Sequence, residues 1–156
     1  MRSGAVLLID YGHAASELDH VSRRSGTLCA HYRHQRIDEP NALLMRAGEQ
    51  DLTAHVNFSL IAKFAQTVGF NVCGFVTQGC FLMNTGLLEH AQELIDAAED
   101  EVQKSQLRSS LKLLVTQSAM GESFKVMLLT KALAPEVVTK LSAAFSFGDR
   151  RDNLFS

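Results

Sequence analysis

Three short stretches of this 156-residue sequence carry side chains able to do chemistry. The first is Leu8-Ile9-Asp10-Tyr11-Gly12, where Asp10 closes an apolar run. In open α/β sheets ligands bind outside the carboxyl ends of strands, so a carboxylate there can orient a substrate, accept a proton or contact a cofactor. Before Tyr11-Gly12 the same residue also reads as a turn former that bonds its own backbone. The second stretch is Cys29-Ala30-His31-Tyr32-Arg33-His34. Histidine and arginine together suit an anionic or carboxylate-bearing ligand, with Arg33 as the fork donor. The third is Asp51-Leu52-Thr53-Ala54-His55. His55 falls near a helix N-terminus, where the dipole disfavours its charged form, leaving a neutral hydrogen-bond partner or base. Asp51 and Thr53 also read as capping or turn residues.

Cysteine and histidine at this density raise the question of zinc, held by His31, His34 and His55. The spacing C-x-H-x-x-H matches no ligand arrangement with a mechanical basis, and there is neither H-E-x-x-H nor a second cysteine pair, so no metal is expected. Phosphate-cradling loops (G-x-G-x-x-G, G-x-x-x-x-G-K-[ST]) and a G-x-S-x-G elbow are absent. With 46% hydrophobic and 21% charged residues and a net charge of −2, the composition is that of a globular domain rather than of a nucleic-acid binder driven by bulk charge. No apolar stretch is long enough for a membrane span. Three cysteines without C-x-x-C spacing imply free thiols in a reducing compartment, read here as the cytoplasm.

The elements that must position these groups follow from the pattern. Residues 4–10 form a short β-branched and aliphatic run that reads as a strand covered on both faces. With so few residues before it, its neighbours must come from the rest of the chain or from a longer protein. Residues 14–49 are polar and non-periodic, the signature of a functional loop or a long surface crossover. Asn57 then caps a helix that ends at Gly69, with Leu60, Ile61, Phe64, Ala65 and Val68 as its stripe and Val56 against Ile61 as a hydrophobic staple. Residues 70–77 read as a strand and residues 78–86 as a turn. Residues 87–115 read as helix with a break at Lys104–Ser105. Met120-Gly121-Glu122 reads as a turn, residues 123–133 as a late strand ended by Pro135, residues 136–145 as a short helix, and residues 147–156 as a charged tail. Strands separated by helices predict an α/β layered sheet.

Five motifs, in order, resemble a known family: Leu8-Ile9-Asp10-Tyr11-Gly12; Gly26-Thr27-Leu28-Cys29-Ala30-His31-Tyr32-Arg33-His34; Gln50-Asp51-Leu52-Thr53-Ala54-His55-Val56-Asn57-Phe58; Thr77-Gln78 with Phe81-Leu82 and Gly86; and Met120-Gly121-Glu122-Ser123-Phe124-Lys125-Val126. Together they resemble the C-terminal part of the MidA-like class I S-adenosylmethionine-dependent methyltransferases, almost from end to end. The resemblance implies the last three strands of a Rossmann-like sheet, the final one antiparallel and inserted between the other two, with flanking helices. It implies that residues 1–156 are a single domain lacking the N-terminal cofactor-binding half, where the glycine-rich loop and the ribose-binding acid of such enzymes lie. The cofactor is then S-adenosyl-L-methionine, the acceptor is protein arginine, and no residue here takes the main cofactor contacts. The site positions it leaves are Asp10, Tyr11, His34, Asp51 and His55. Neither nucleic acid nor membrane is an expected partner, while a protein substrate and a homo-oligomer are. The alternative is a non-catalytic truncated domain acting in binding or oligomerisation, its exposed first-strand edge pairing with another chain.

Overall fold

The structure, a computed structural model, describes residues 1–23, 26–33, 35–116 and 118–156. Strand β1 (Gly4–His13) runs into a helical turn, α1 (Ala15–Leu18). Three short strands follow, β2 (Cys29–Tyr32), β3 (Gln35–Ile37) and β4 (Asp51–Thr53), and then β5 (Val56–Asn57) leads into helix α2 (Phe58–Thr67). Strand β6 (Asn71–Thr77), helices α3 (Gln78–Asn84), α4 (Leu87–Ala97) and α5 (Glu101–Val115), the helical turn α6 (Met120–Ser123), strand β7 (Phe124–Lys131) and helix α7 (Pro135–Ser142) complete the order.

The main sheet runs β5-β1-β7-β6. Strand β7 lies antiparallel between β1 and β6, which is the insertion the resemblance implies. On one face, Val6 and Leu8 of β1, Met127 and Leu129 of β7 and Phe75 of β6 pack with Phe58, Ala62 and Ala65 of α2 and with Leu154. The Phe58 and Phe75 rings sit 5.2 Å apart at its centre. On the other face, Val76, Val126 and Leu128 pack beneath Phe81, Val138 and Phe145.

Helix α2 forms for the reasons its sequence gives. The Asn57 Oδ1 accepts the Leu60 N–H at 2.9 Å, and Gly69 takes the left-handed φ of +82° that a C′ position favours. The tail is not a free charged segment. Arg150 N–H donates to the Phe75 carbonyl at 2.7 Å, Phe75 N–H donates to Asp149 Oδ1 at 3.4 Å, and Leu154 is fully buried, so the tail lies along the outer edge of β6.

Four expectations give way. Residues 78–84 are helical rather than a turn, because Thr77 caps them and Gly79 provides close packing: a Cβ there would sit 2.7 Å from the Val115 carbonyl oxygen. The long helical region breaks before Asp100, whose side chain accepts the Gln103 N–H and starts α5, and not at Lys104–Ser105. The irregular stretch holds strands β2 and β3, which with β4 just beyond it make a second, three-stranded antiparallel sheet, β3-β2-β4. Finally, β1 is not covered on both faces: Leu7 and Ile9 are 47% and 52% exposed.

Candidate functional site

The second sheet stands at the carboxyl end of β1. Its central strand β2 pairs Cys29 with Thr53 and His31 with Asp51 on β4, and Cys29 Sγ lies 3.2 Å from Thr53 Oγ1, tying the two strands together. Just after β4 the chain crosses to β1: Val56 and Asn57 pair in parallel with Gly12 and His13. This crossing sets His55 beside the end of β1, and Thr27 Oγ1 fixes it further by accepting the His55 N–H at 3.0 Å.

A cavity of about 280 Å³ opens between the two sheets, lined by Tyr11, Cys29, His31, Arg36, Thr53, His55, Ser123 and Phe124. Tyr11 stands edge-on to both His55 and Phe124, with ring centroids 5.9 and 5.8 Å apart. His13 lies 5.0 Å from His55 by ring centroids and keeps Nδ1 2.8 Å from Glu17. The His55 Nδ1 is buried and makes no hydrogen bond to the described residues.

Charge accumulates next to this cavity. Lys125 is buried on β7, with Nζ donating to the Glu122 main-chain carbonyl and lying 3.6 Å from the Glu122 carboxylate. The Arg150 guanidinium donates to both oxygens of that carboxylate at 2.6 and 3.2 Å. Burial pushes the His55 pKa below the usual histidine range, and His13, Arg23, Arg36 and Lys125 lower it further. Burial likewise lowers His13, against the opposing hydrogen bond to Glu17. Burial lowers Lys125 too, with Glu122 opposing. The neutral His55 expected from the helix dipole is thus produced by desolvation first and neighbouring cations second.

Of the five site residues read from the sequence, Tyr11 and His55 meet in the cavity. Asp10 sits one residue away, and its Oδ1 accepts the Tyr11 N–H at 2.8 Å; it forms no turn, because β1 runs on through it to His13. Asp51 is exposed on β4 opposite His31, at the rim. His34 lies outside the described residues. Arg33 is not the cavity's fork donor: it is exposed, with a left-handed φ of 48°, and lies over the Tyr32 ring at 5.3 Å. Arg36 takes that place, paired with Asp38 at 2.8 Å. Ser123, Phe124 and Arg36 were missed as site residues. The only sequence signal for the first two was their motif next to Lys125.

Residues 1–76 match a family described as putative S-adenosyl-L-methionine-dependent methyltransferase. A native crystal structure of an uncharacterised Burkholderia thailandensis protein superposes with a TM-score of 0.81 at 32% identity, covering 96% of this chain and 37% of that one. A second Burkholderia thailandensis structure, a likely methyl transferase bound to S-adenosyl-homocysteine, gives 0.77 at 31% identity over 96% of this chain and 36% of that one. This chain belongs to the MidA-like methyltransferase family. Among curated relatives, the mitochondrial protein arginine methyltransferase NDUFAF7 of Mus musculus is 36% identical over 121 residues, which is 78% of this chain and 25% of that protein. Its Homo sapiens counterpart is 30% identical over 124 residues, 80% of this chain and 25% of that protein. The chain therefore spans about a quarter of the length of the curated relatives it matches.

Two consequences follow for a MidA-like chain. The expectation of a cytoplasmic setting is overturned by relatives that are named mitochondrial. Free thiols separate reducing from oxidising compartments and carry no information on which reducing compartment holds the protein. The residues present also do not fit S-adenosylmethionine by themselves. The cavity is smaller than most sites for ligands of that size, Asp10-Tyr11-Gly12 is extended strand within β1 rather than a phosphate- or nucleoside-cradling glycine loop, and the Asp10 carboxylate is engaged by the Tyr11 amide.

Proposed function

We propose that this chain is the C-terminal portion of an S-adenosylmethionine-dependent methyltransferase acting on protein arginine, and that it builds the acceptor side of the active site. The observation that carries this is the joining of Tyr11, His31 and His55 around one cavity at the carboxyl end of β1, in a fold shared with a likely methyl transferase bound to S-adenosyl-homocysteine. A guanidinium nitrogen sheds a proton when it is alkylated. His55, neutral near pH 7 because burial lowers its pKa, accepts that proton. Tyr11 and Phe124 offer aromatic faces and edges to a planar cation, and Asp51 places a carboxylate at the rim. The Arg36 charge, which opposes a cationic acceptor, is offset by Asp38.

Calorimetric titration of this chain with S-adenosylmethionine shows no micromolar binding under this reading, and micromolar binding by the chain alone overturns it. Joined to the portion of the Burkholderia thailandensis relative that it leaves unmatched, the chain supports methylation of an arginine peptide. His55→Gln in that fusion lowers kcat by at least about tenfold, as expected for loss of a general base. An unaltered kcat removes His55 from this role, and a fusion that binds the cofactor but methylates nothing favours the non-catalytic alternative.

A further inference from the structure

The buried Nδ1 of His55 has nothing to bond. Among the described residues it and Gln50 Oε1 are the buried side-chain polar atoms without a hydrogen-bond partner. Buried polar atoms are almost always paired, so a partner is expected within reach. His13 stands there. Tyr11 and His13 are two residues apart on β1 and so share a face, and the His55 ring lies against both, 5.9 Å from Tyr11 and 5.0 Å from His13 by centroids. One nitrogen of His13 is taken, since Nδ1 lies 2.8 Å from Glu17 Oε2. A carboxylate only accepts, so in the neutral ring Nδ1 carries the proton and Nε2 keeps a bare lone pair. Ring nitrogens stand about 1.2 Å from the ring centre, so two imidazoles bonded nitrogen to nitrogen at about 2.9 Å have centroids about 5 Å apart. The two rings already have that spacing. They are tilted by 44°, and turning about the Cβ–Cγ bonds brings the nitrogens together without moving either strand.

From this we infer that Glu17 and His13 are positioning residues for His55. Glu17 accepts from His13 Nδ1, His13 Nε2 accepts from His55 Nδ1, and His55 is held in the one tautomer whose lone pair, on Nε2, is free to take a proton. The inference rests on the function proposed above. Neither His13 nor Glu17 lies in any of the five sequence motifs, yet both are fixed by the fold. Helix α1 starts straight after β1 and sets Glu17 four residues beyond His13. Ser59 Oγ accepts the Ala15 N–H at 2.9 Å, and Arg23 donates to the Glu17 carbonyl at 2.7 Å, so α1 is tied at both ends. The His13 side chain is 13% exposed and that of Glu17 35%, so the line of groups runs from the cavity towards water. As the acceptor nitrogen forms its bond to the methyl group and the donor's bond to that group breaks, the nitrogen's proton passes to His55 Nε2. The charge so created stands beside Arg23, Arg36 and Lys125, and the Glu17 carboxylate behind His13 opposes those three cations. Loss of the Nε2 proton to water after product leaves restores the starting tautomer.

Nitrogen-15 spectra of the imidazole rings test the arrangement on the chain alone, with no methylation needed. Near pH 8, above the ordinary histidine pKa of about 6.5, both His13 and His55 carry their proton on Nδ1. Glu17→Ala releases His13 Nδ1, and the proton of His55, a ring that Glu17 does not touch, shifts towards Nε2. His13→Phe, which keeps a ring but removes both nitrogens, does the same. A His55 proton on Nε2 in the unsubstituted chain, or a His55 tautomer indifferent to both substitutions, overturns the proposal. Kinetics then follow in the fusion with the unmatched portion of the Burkholderia thailandensis relative. His13→Phe lowers kcat by about tenfold with little change in KM, and it lowers kcat no further in a His55→Gln background, because His13 acts through His55. Losses that multiply in the double variant make His13 a support of the fold alone and overturn the proposal. A fusion that methylates nothing, with the tautomers as stated, removes the methyltransferase reading and leaves the hold on His55 standing.

Discussion

Gly12 lies directly beneath Val56: a Cβ on Gly12 would sit 2.3 Å from the Val56 carbonyl oxygen and 2.9 Å from its nitrogen. No side chain fits there, and both atoms belong to the backbone, which cannot swing aside. The absence of a Cβ at the end of β1 is what lets β5 pair beside it and bring His55 up to Tyr11. Two sequence motifs forty-odd residues apart are thereby one local structure.

Gly12→Ala therefore displaces β5 and with it His55. It costs about 2 kcal/mol, in the range of overpacked sites, read as a lower urea midpoint with an unchanged m-value. The effect is larger at the site than across the fold: the Tyr11–His55 ring contact is lost, visible as a shift of the His55 ring proton resonances. Retention of both the midpoint and those resonances shows that the close approach is not needed.

Much of this arrangement was legible in the sequence where an element is long enough to show a period. The Asn57 cap and the β7 run declare themselves, and the α2 stripe gives the helix but not its buried side, since Leu60, Phe64 and Val68 are exposed while Phe58, Ala62 and Ala65 are buried. The second sheet did not declare itself, because β2, β3 and β4 have four, three and three residues. Alternation needs at least four residues to register, a length that β2 only just reaches and β3 and β4 do not. Gly79 misled for a related reason: a glycine demanded by the close approach of Val115 looks the same in sequence as a glycine demanded by a turn. Asp10 was readable both as a site carboxylate and as a turn former; the strand continues through it to His13, so no turn forms there, and its carboxylate accepts the next amide of the chain. The glycine of Asp10-Tyr11-Gly12 is chemically the less interesting residue of the three, yet it does more to build the site.

The two lowered histidines make stability depend on pH in a defined direction. Between its lowered folded pKa and the ordinary value of 6.5, each histidine binds more protons unfolded than folded. Stability then rises with pH through that window, and it falls as the pH drops below about 6.5. Thermal melts keep their midpoint from pH 7.5 to about 6.5 and lose melting temperature from there down to pH 5.5. His13→Asn with His55→Asn flattens that slope. A double variant with the same slope as the parent places the acid sensitivity in other groups.

Lys125 and Glu122 make a sharper contrast. The Lys125 side chain is 1% exposed, while Glu122 is shared between it and Arg150. Lys125→Met removes the buried charge but leaves Glu122 with both Arg150 bonds. Replacing a buried ion by an apolar chain of similar length is close to neutral, so the expected change is within about 1 kcal/mol. Glu122→Gln does the opposite: it leaves the lysine buried without its counter-charge and frees the guanidinium as well. That loss is about 3 kcal/mol, the cost of orphaning one member of a buried pair. Urea midpoints of the two variants check the order. Equal destabilisation would mean that Lys125 contributes chiefly through its bond to the Glu122 main-chain carbonyl, which methionine cannot make and glutamine at 122 leaves intact.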